Sequence, residues 1–378
     1  MPTRDPGPAG LEAVGSVAVR TFAAHQSQTS PRTALSAHQS MDGHHVNAMA
    51  GDGSGAPRNH FADYDELPDG HFYDPDAEYE PDPEYAATLA PDAARQRRER
   101  VGPTGRPLPY FPIPGPLTQH GPATIIAMCN QKGGVGKTTS TINLGAALAE
   151  YGRRVLLVDF DPQGALSVGL GVNPMELDLT VYNLLMERGM SADEVLLKTA
   201  VPNMDLLPSN IDLSAAEVQL VSEVARESTL QRALKPLMDD YDYIVIDCQP
   251  SLGLLTVNAL TAAHKVIVPL ECEFFALRGV ALLTETIEKV QERLNPELEL
   301  DGILATMYDS RTVHSREVLA RVVEAFDDHV YHTVIGRTVR FPETTVAGEP
   351  ITTYASNSVG AAAYRQLARE VLARCHAE

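Results

Sequence analysis

The sequence predicts an α/β protein, a mostly parallel sheet flanked by helices on both faces and preceded by a disordered N-terminal arm. Three observations carry this reading. From Ala123 onward, short apolar runs alternate with stretches of helical spacing, and such alternation builds parallel sheets covered on both sides. One strand-to-helix junction holds the glycine-rich stretch QKGGVGKTT at residues 131–139. Before residue 123 the chain is rich in Asp, Glu, Pro and Gly and poor in aliphatic residues.

The arm comes first. Stretches such as YDELPDGHFYDPDAEYEPDPEY bury too little apolar surface to offset the entropy of ordering them. The expected organisation is an arm over 1–122 and a single domain over 123–378. Nine Arg and no Lys face sixteen acidic residues in the arm, which makes it acidic in net charge. The basic run RQRRER at Arg95–Arg100 reads first as solvated charge and second as a phosphate contact. His44 and His45 fit a metal site or a polar loop equally well.

The 378-residue chain has a formal net charge of −20, so any nucleic-acid contact has to come from a local patch. Cys129, Cys248, Cys272 and Cys375 are widely spaced with no C-x-x-C pair, the usage of a reduced, cytoplasmic protein. No run approaches the ~18 apolar residues of a membrane helix, and the N-terminus has no signal-peptide core. Neither secretion nor membrane spanning is expected.

Within the domain the strands predicted are TIIAMC, RVLLVDF, MDLLPS, YIVIDC, KVIVPL, ELDGILATMY and HTVI. Their β-branched, uninterrupted apolar character suits strands buried on both faces. Helical spacing appears in STINLGAALAEYG, LSAAEVQLVSEVARESTLQRALKPL, GVALLTETIEKVQERL and SREVLARVVEAF. In such sheets ligands sit beyond the carboxyl ends of the strands, so functional residues are sought just after them.

The first such place is the glycine-rich stretch, with TIIAMC before it and a helix after it. Glycines let backbone N–H groups turn toward phosphate oxygens, and the helix N-terminus adds partial positive charge. Lys137 is expected to neutralise the β- and γ-phosphates and Thr138 to give its hydroxyl to Mg²⁺. Gly133, Gly134, Val135, Gly136 and Thr139 complete the cradle of a P-loop NTPase. Lys132, ahead of the first loop glycine, is separated by the loop backbone from the phosphates Lys137 serves. It can reach a neighbouring molecule's phosphates, whereas taken alone it reads as a surface lysine.

KGGVGKTT at Lys132–Thr139 resembles the deviant Walker A loop of the ParA/MinD family of ATPases. RVLLVDFDPQG at Arg154–Gly164 is similar to the family's second motif, and YDYIVIDCQPSLGLLTVNAL at Tyr241–Leu260 to its Walker B strand and following helix. VIVPLECEFFALRGVALL and HTVIGRTVRFPETTVAGEPI resemble the Soj-like partitioning branch. The resemblance runs from about residue 124 to the end. It implies a cytoplasmic, nucleoid-associated ATPase of chromosome or plasmid partitioning. Its homodimer would close over two ATP molecules, with Lys132 of each subunit contacting the other's nucleotide. A ParB-like partner would stimulate hydrolysis, and the ATP dimer would hold non-specific DNA.

Residue by residue, the resemblance implies that Asp161 positions or activates the attacking water, that Asp159 lies near the Mg²⁺ shell and that Asp247 holds Mg²⁺, usually through water. A strand-end aspartate capping a helix is the alternative for any one of them taken alone, but with the loop present the three together favour catalysis. Gln249-Pro250-Ser251 stands where the family generally carries Pro-Pro before the serine, which frees one φ angle. Met307 and the segment Arg337–Phe341 are the expected adenine contacts. For DNA the available cations are Arg311, Arg316, Arg321, Arg337, Arg340 and Arg365, in competition with pairing to nearby carboxylates. The family's R-N-V-R and S-E-A are replaced by Arg337-Thr338-Val339-Arg340 and Phe341-Pro342-Glu343.

The last helix puts Tyr364, Leu367, Ala368, Val371 and Leu372 on one face, and docking on the domain is favoured over a membrane-surface role. Two other classes compete with a partitioning ATPase. One is a nucleotide switch that regulates chromosome condensation or polar machinery without DNA transport. The other is an iron–sulfur reductase or amidotransferase, which would need bridging cysteines or a glutaminase segment.

Overall fold

The structure is a computed structural model and describes residues 101–273 and 276–375. The expectations for residues 1–100, including the disordered arm, His44, His45 and the Arg95–Arg100 run, lie outside the described residues. The domain runs β1 (Thr124–Met128), α1 (Lys137–Glu150), β2 (Val155–Phe160), α2 (Ala165–Gly169), α3 (Val181–Met186), α4 (Ala192–Val195), β3 (Leu197–Lys198), β4 (Met204–Leu207), α5 (Leu213–Gln219), α6 (Thr229–Leu234), β5 (Tyr243–Cys248), α7 (Leu254–Ala262), β6 (Lys265–Glu271), α8 (Ala276–Arg293), β7 (Glu299–Thr306), α9 (Val313–Phe326), α10 (Arg340–Ala347), α11 (Ile351–Tyr354) and α12 (Val359–Cys375).

The seven strands lie in the order β3-β4-β2-β5-β1-β6-β7, all parallel except the β3–β4 pair. β1 is an interior strand between β5 and β6, with Met128 level with Asp247 on one side and Ile267 on the other. Successive strand residues face opposite layers. Ile126, Met128, Leu157 and Val245 pack with Leu144 of α1 and Leu367 of α12, while Ile125, Ala127, Val158 and Ile246 pack with Leu255 of α7 and Leu283 of α8. This two-sided burial is what the apolar strand runs predict. Among the described residues no helix is long and apolar enough to cross a membrane.

Two elements differ from the sequence expectation. The stretch 213–237 is broken into α5, α6 and short 3₁₀ turns, because Ala225 takes a left-handed φ of 53°. The buried Asn258 of α7 fixes the break: its Oδ1 accepts the Thr229 and Leu230 amides at 3.0 and 3.2 Å, and its Nδ2 donates to Arg226 O. HTVI is not a ladder strand. The buried carboxylate of Glu370 on α12 captures the His332 and Thr333 amides at 2.7 and 2.9 Å, together with the Thr333 hydroxyl. Isolated bridges flank it, Ile303–Val330 to β7 and Tyr308–Gly336 just beyond that strand.

Composition assigns residues 101–122 to the arm, but they are fastened to the domain. Arg106 donates to Asp327 O and Val330 O, and Arg153 donates to Gly115 O. Asp242 accepts from His120 and from the Gly121 and Arg154 amides. These anchors hold the segment at the amino ends of β2 and β5, away from the glycine-rich loop. The proline-rich composition hid them because each anchor is a single polar side chain rather than an apolar period.

The final helix docks as expected, with Tyr364, Leu367, Ala368, Val371 and Leu372 buried. Arg374 lies over the Tyr331 ring at 4.1 Å and pairs with Glu370 at 3.2 Å. Glu370→Ala would strand two amides and a cation in the interior. It is expected to lower the unfolding free energy by about 3 kcal/mol, read from denaturant titration against the parent chain.

Candidate nucleotide site

The glycine-rich loop leaves β1, inside the sheet between β5 and β6, and enters α1. Gly134 and Gly136 hold φ of 74° and 84°, the left-handed values that let successive amides face one concavity. The loop is braced from outside. Asn130, buried, donates to Pro269 O at 2.7 Å and accepts the Lys132 amide at 2.9 Å, while the Thr306 hydroxyl donates to Val135 O at 2.8 Å. Sequence reasoning passed over both residues; a polar residue directly after an apolar strand was the available signal.

Lys137 is buried, and its ammonium donates to the Lys132 carbonyl at 3.1 Å, across the loop. The Thr138 hydroxyl donates to Asp247 Oδ2 at 2.6 Å. Gly133 lies open beside Pro250, and Thr139 is half-buried at the loop exit. A cation, a hydroxyl–carboxylate pair and inward backbone in one cradle match a magnesium–nucleoside triphosphate.

Asp159 and Asp247 sit side by side on β2 and β5. Burial, then the charge of Asp159, pushes Asp247 up to about 8, against the opposing pull of Thr138 and Lys137. Burial pushes Asp159 up to about 7 despite its hydrogen bonds. Asp159 does not join Thr138. Its Oδ2 accepts the Ser167 amide and hydroxyl at 2.8 and 2.7 Å and its Oδ1 the Asp161 amide at 3.4 Å. Level with Asp247, Asp159 thus also holds the loop between β2 and α2. Asp161 sits half-buried on that loop, with Oδ1 accepting the Gln163 amide at 3.0 Å. Gln249, which replaces a family proline, donates to Glu217 of α5 at 2.9 Å, so a side-chain tether stands where a fixed φ would have been.

The expected base contacts come together. Met307, at φ 50°, lines a cavity of about 320 Å³ with Gly136, Arg337, Phe341, Pro342 and Tyr364. Tyr364 bonds the Ser140 hydroxyl at 3.1 Å and meets Phe341 edge-on at 5.8 Å.

Lys132 is exposed and engaged. Nζ lies 3.0 Å from Glu271 Oε2 and 2.7 Å from Glu273 Oε2. Partial burial lowers its pKa, but the hydrogen bonds with Glu273 and Glu271 outweigh this and hold it above the usual lysine value.

The candidate DNA cations are mostly paired. Arg311 grips Asp309 through two nitrogens and holds it down to about 2. Arg340 pairs with Glu343 at 3.0 Å, Arg365 with Glu150 at 2.7 Å and Arg337 with Glu271 at 3.2 Å. Arg316 donates to Ser310 O, and Arg321 is exposed on α9.

A family model described as an AAA domain matches residues 123–300. The sporulation initiation inhibitor protein Soj of Bacillus subtilis is 48% identical over 249 residues, which span 66% of this chain and 98% of that protein. The chain belongs to the Soj/ParA family of ATPases. The chromosome partitioning protein ParA of Caulobacter vibrioides is 47% identical, over 67% of this chain and 95% of its own length. An uncharacterised protein of Mycobacterium tuberculosis is 69% identical, over 72% of this chain and 86% of its own. Among solved structures, one described as cobyrinic acid a,c-diamide synthase from Mycobacterium smegmatis, with bound ATP analog and magnesium, superposes with a TM-score of 0.60. It is 45% identical and spans 68% of this chain and 96% of that one.

The raised carboxylates set a pH dependence. Between pH ~4 and ~8 the folded chain keeps protons at Asp159 and Asp247 that the unfolded chain has released, so raising the pH favours unfolding. The ligand-free melting temperature is expected to fall over that window, and Asp247→Asn to flatten the fall, as read by calorimetry across a pH series.

Proposed function

We propose that this chain is a nucleotide-gated partition switch: it binds Mg-ATP in the cradle, pairs with a second copy while ATP is intact, and separates after hydrolysis. The observation that carries the reading is the two-lysine loop, Lys137 buried within its own cradle and Lys132 outside it. Bound Mg-ATP supplies the transferable phosphoryl group and the metal that neutralises its charge. Lys137 exchanges the Lys132 carbonyl for phosphate oxygens. Thr138 and Asp247 provide the hydroxyl and carboxylate for the metal's shell. Asp161 orients water by accepting a hydrogen at Oδ2, the oxygen not engaged by Gln163. Met307, Phe341 and Pro342 cover the base.

The solved relative described as a diamide synthase raises the amidotransferase reading. Among the described residues the cysteines do not favour it, since Cys129, Cys248 and Cys272 are buried and Cys375 is half-buried on α12, whereas a thiolate nucleophile needs access.

Partitioning further requires a ParB-like stimulating partner, nucleoid association and salt-sensitive phosphate contacts with non-specific DNA. The paired state of Arg311, Arg340 and Arg365 favours the second reading, a switch that regulates chromosome condensation or polar machinery without DNA transport. Arg337 lines the base cavity, so DNA retention is tested with Arg316→Ala/Arg340→Ala at low salt with ATP. Loss of retention with nucleotide affinity unchanged supports DNA transport, and no retention by the parent chain supports the regulator.

Two variants test the core of the proposal. Lys137→Ala is expected to lose Mg-ATP binding by at least tenfold in calorimetric titration. Asp161→Ala is expected to bind ATP normally, to lose phosphate release by a factor of about 100 or more, and to double in mass with ATP in light scattering.

A further inference from the structure

In the free chain the ammonium of Lys132 is held between Glu271 Oε2 and Glu273 Oε2. The other oxygen of Glu271, Oε1, accepts from Arg337 Nη2 at 3.2 Å. Glu271 ends β6, next to β1, and its side chain is only 13% exposed, while that of Glu273 is 54% exposed. One carboxylate is thus fixed by the sheet and the other is added from the segment that follows. Arg337, on the wall of the base cavity, braces the fixed one from its far side.

We propose that Glu271 and Glu273 form a latch that keeps Lys132 inside its own subunit and must release it before a second copy of the chain can close. The inference rests on the proposed contact of Lys132 with the neighbouring subunit's nucleotide. Two of the ammonium's three hydrogens go to carboxylates of its own subunit, and those carboxylates would repel a triphosphate brought to the same cation, so contact with phosphate oxygens in another subunit requires it to leave them. Closure therefore exchanges one set of charge-assisted hydrogen bonds for another. A triphosphate brings more negative charge to that exchange than a diphosphate, so the latch widens the difference between ATP and ADP as dimerising ligands. Each subunit has its own latch and both must open, so a factor gained per subunit is squared in the dimer constant.

The test uses the full chain with Mg²⁺ and either ADP or a non-hydrolysable ATP analogue, and measures sedimentation velocity over a protein concentration series. The variants are Glu271→Gln, Glu273→Gln, the double substitution and Lys132→Ala. Loss of a partly exposed pair is worth ~3-fold per subunit. The double variant is therefore expected to dimerise at about tenfold lower concentration with the analogue, and to gain measurable dimer with ADP. Glu273→Gln alone shifts in the same direction and, being at an exposed position, folds independently of the outcome at Glu271. The latch is overturned if the Gln variants dimerise no better than the parent while Lys132→Ala abolishes the dimer; the contact across the interface then stands. If Lys132→Ala dimerises like the parent, the contact across the interface fails and the latch with it.

Discussion

A cradle for phosphate made of backbone amides must leave those amides unpaired, and so it cannot be held in shape by its own hydrogen bonds. The loop between β1 and α1 meets that constraint with external braces. Asn130 ties its entry to Pro269 at the end of β6, and Thr306 at the end of β7 ties down Val135. Both braces come from strands on one side of β1. On the other side β5 supplies Asp247 to Thr138. Placing β1 between β5 and β6 is what gives one loop supports from both flanks.

The same placement concentrates negative charge. Asp159 and Asp247 are level on adjacent strands and both are buried, an arrangement that burial and mutual repulsion make costly without cations. Lys137 is the cation the chain itself provides nearby. The two aspartates divide the labour: Asp247 faces the loop hydroxyl, and Asp159 organises the turn that carries Asp161. Ser167 bonds Asp159 and also accepts the Ser209 amide from beyond β4 at 3.2 Å, so the turn is joined to a third strand.

Much of this was legible in the residues. The parallel order of strands follows from apolar runs that can be buried only between two layers, and the cradle follows from glycines spaced between a strand and a helix. Hidden were contacts made by one polar side chain across a long separation in sequence. Glu370 removes HTVI from the sheet, Asn258 splits the 213–237 helix, and Asp242 fastens residues 120 and 121. None leaves a periodic trace. Asp159 lies beside the neighbours expected of it, but the donors that reach its carboxylate, from Ser167 and Asp161, were hidden, because position on a strand fixes where a carboxylate sits and not what bonds it. The engagement of Lys132 by Glu271 and Glu273 was likewise invisible, since those carboxylates lie some 140 residues further along the chain.

Tyr364 gives the end of the chain an unexpected office. From α12 its ring meets Phe341, its hydroxyl meets Ser140 on α1, and its surface lines the same cavity as Met307. The last described helix is therefore part of the masonry of that cavity. Any shift of this helix would be felt both at the cavity wall and at Ser140, on the helix that follows the glycine-rich loop.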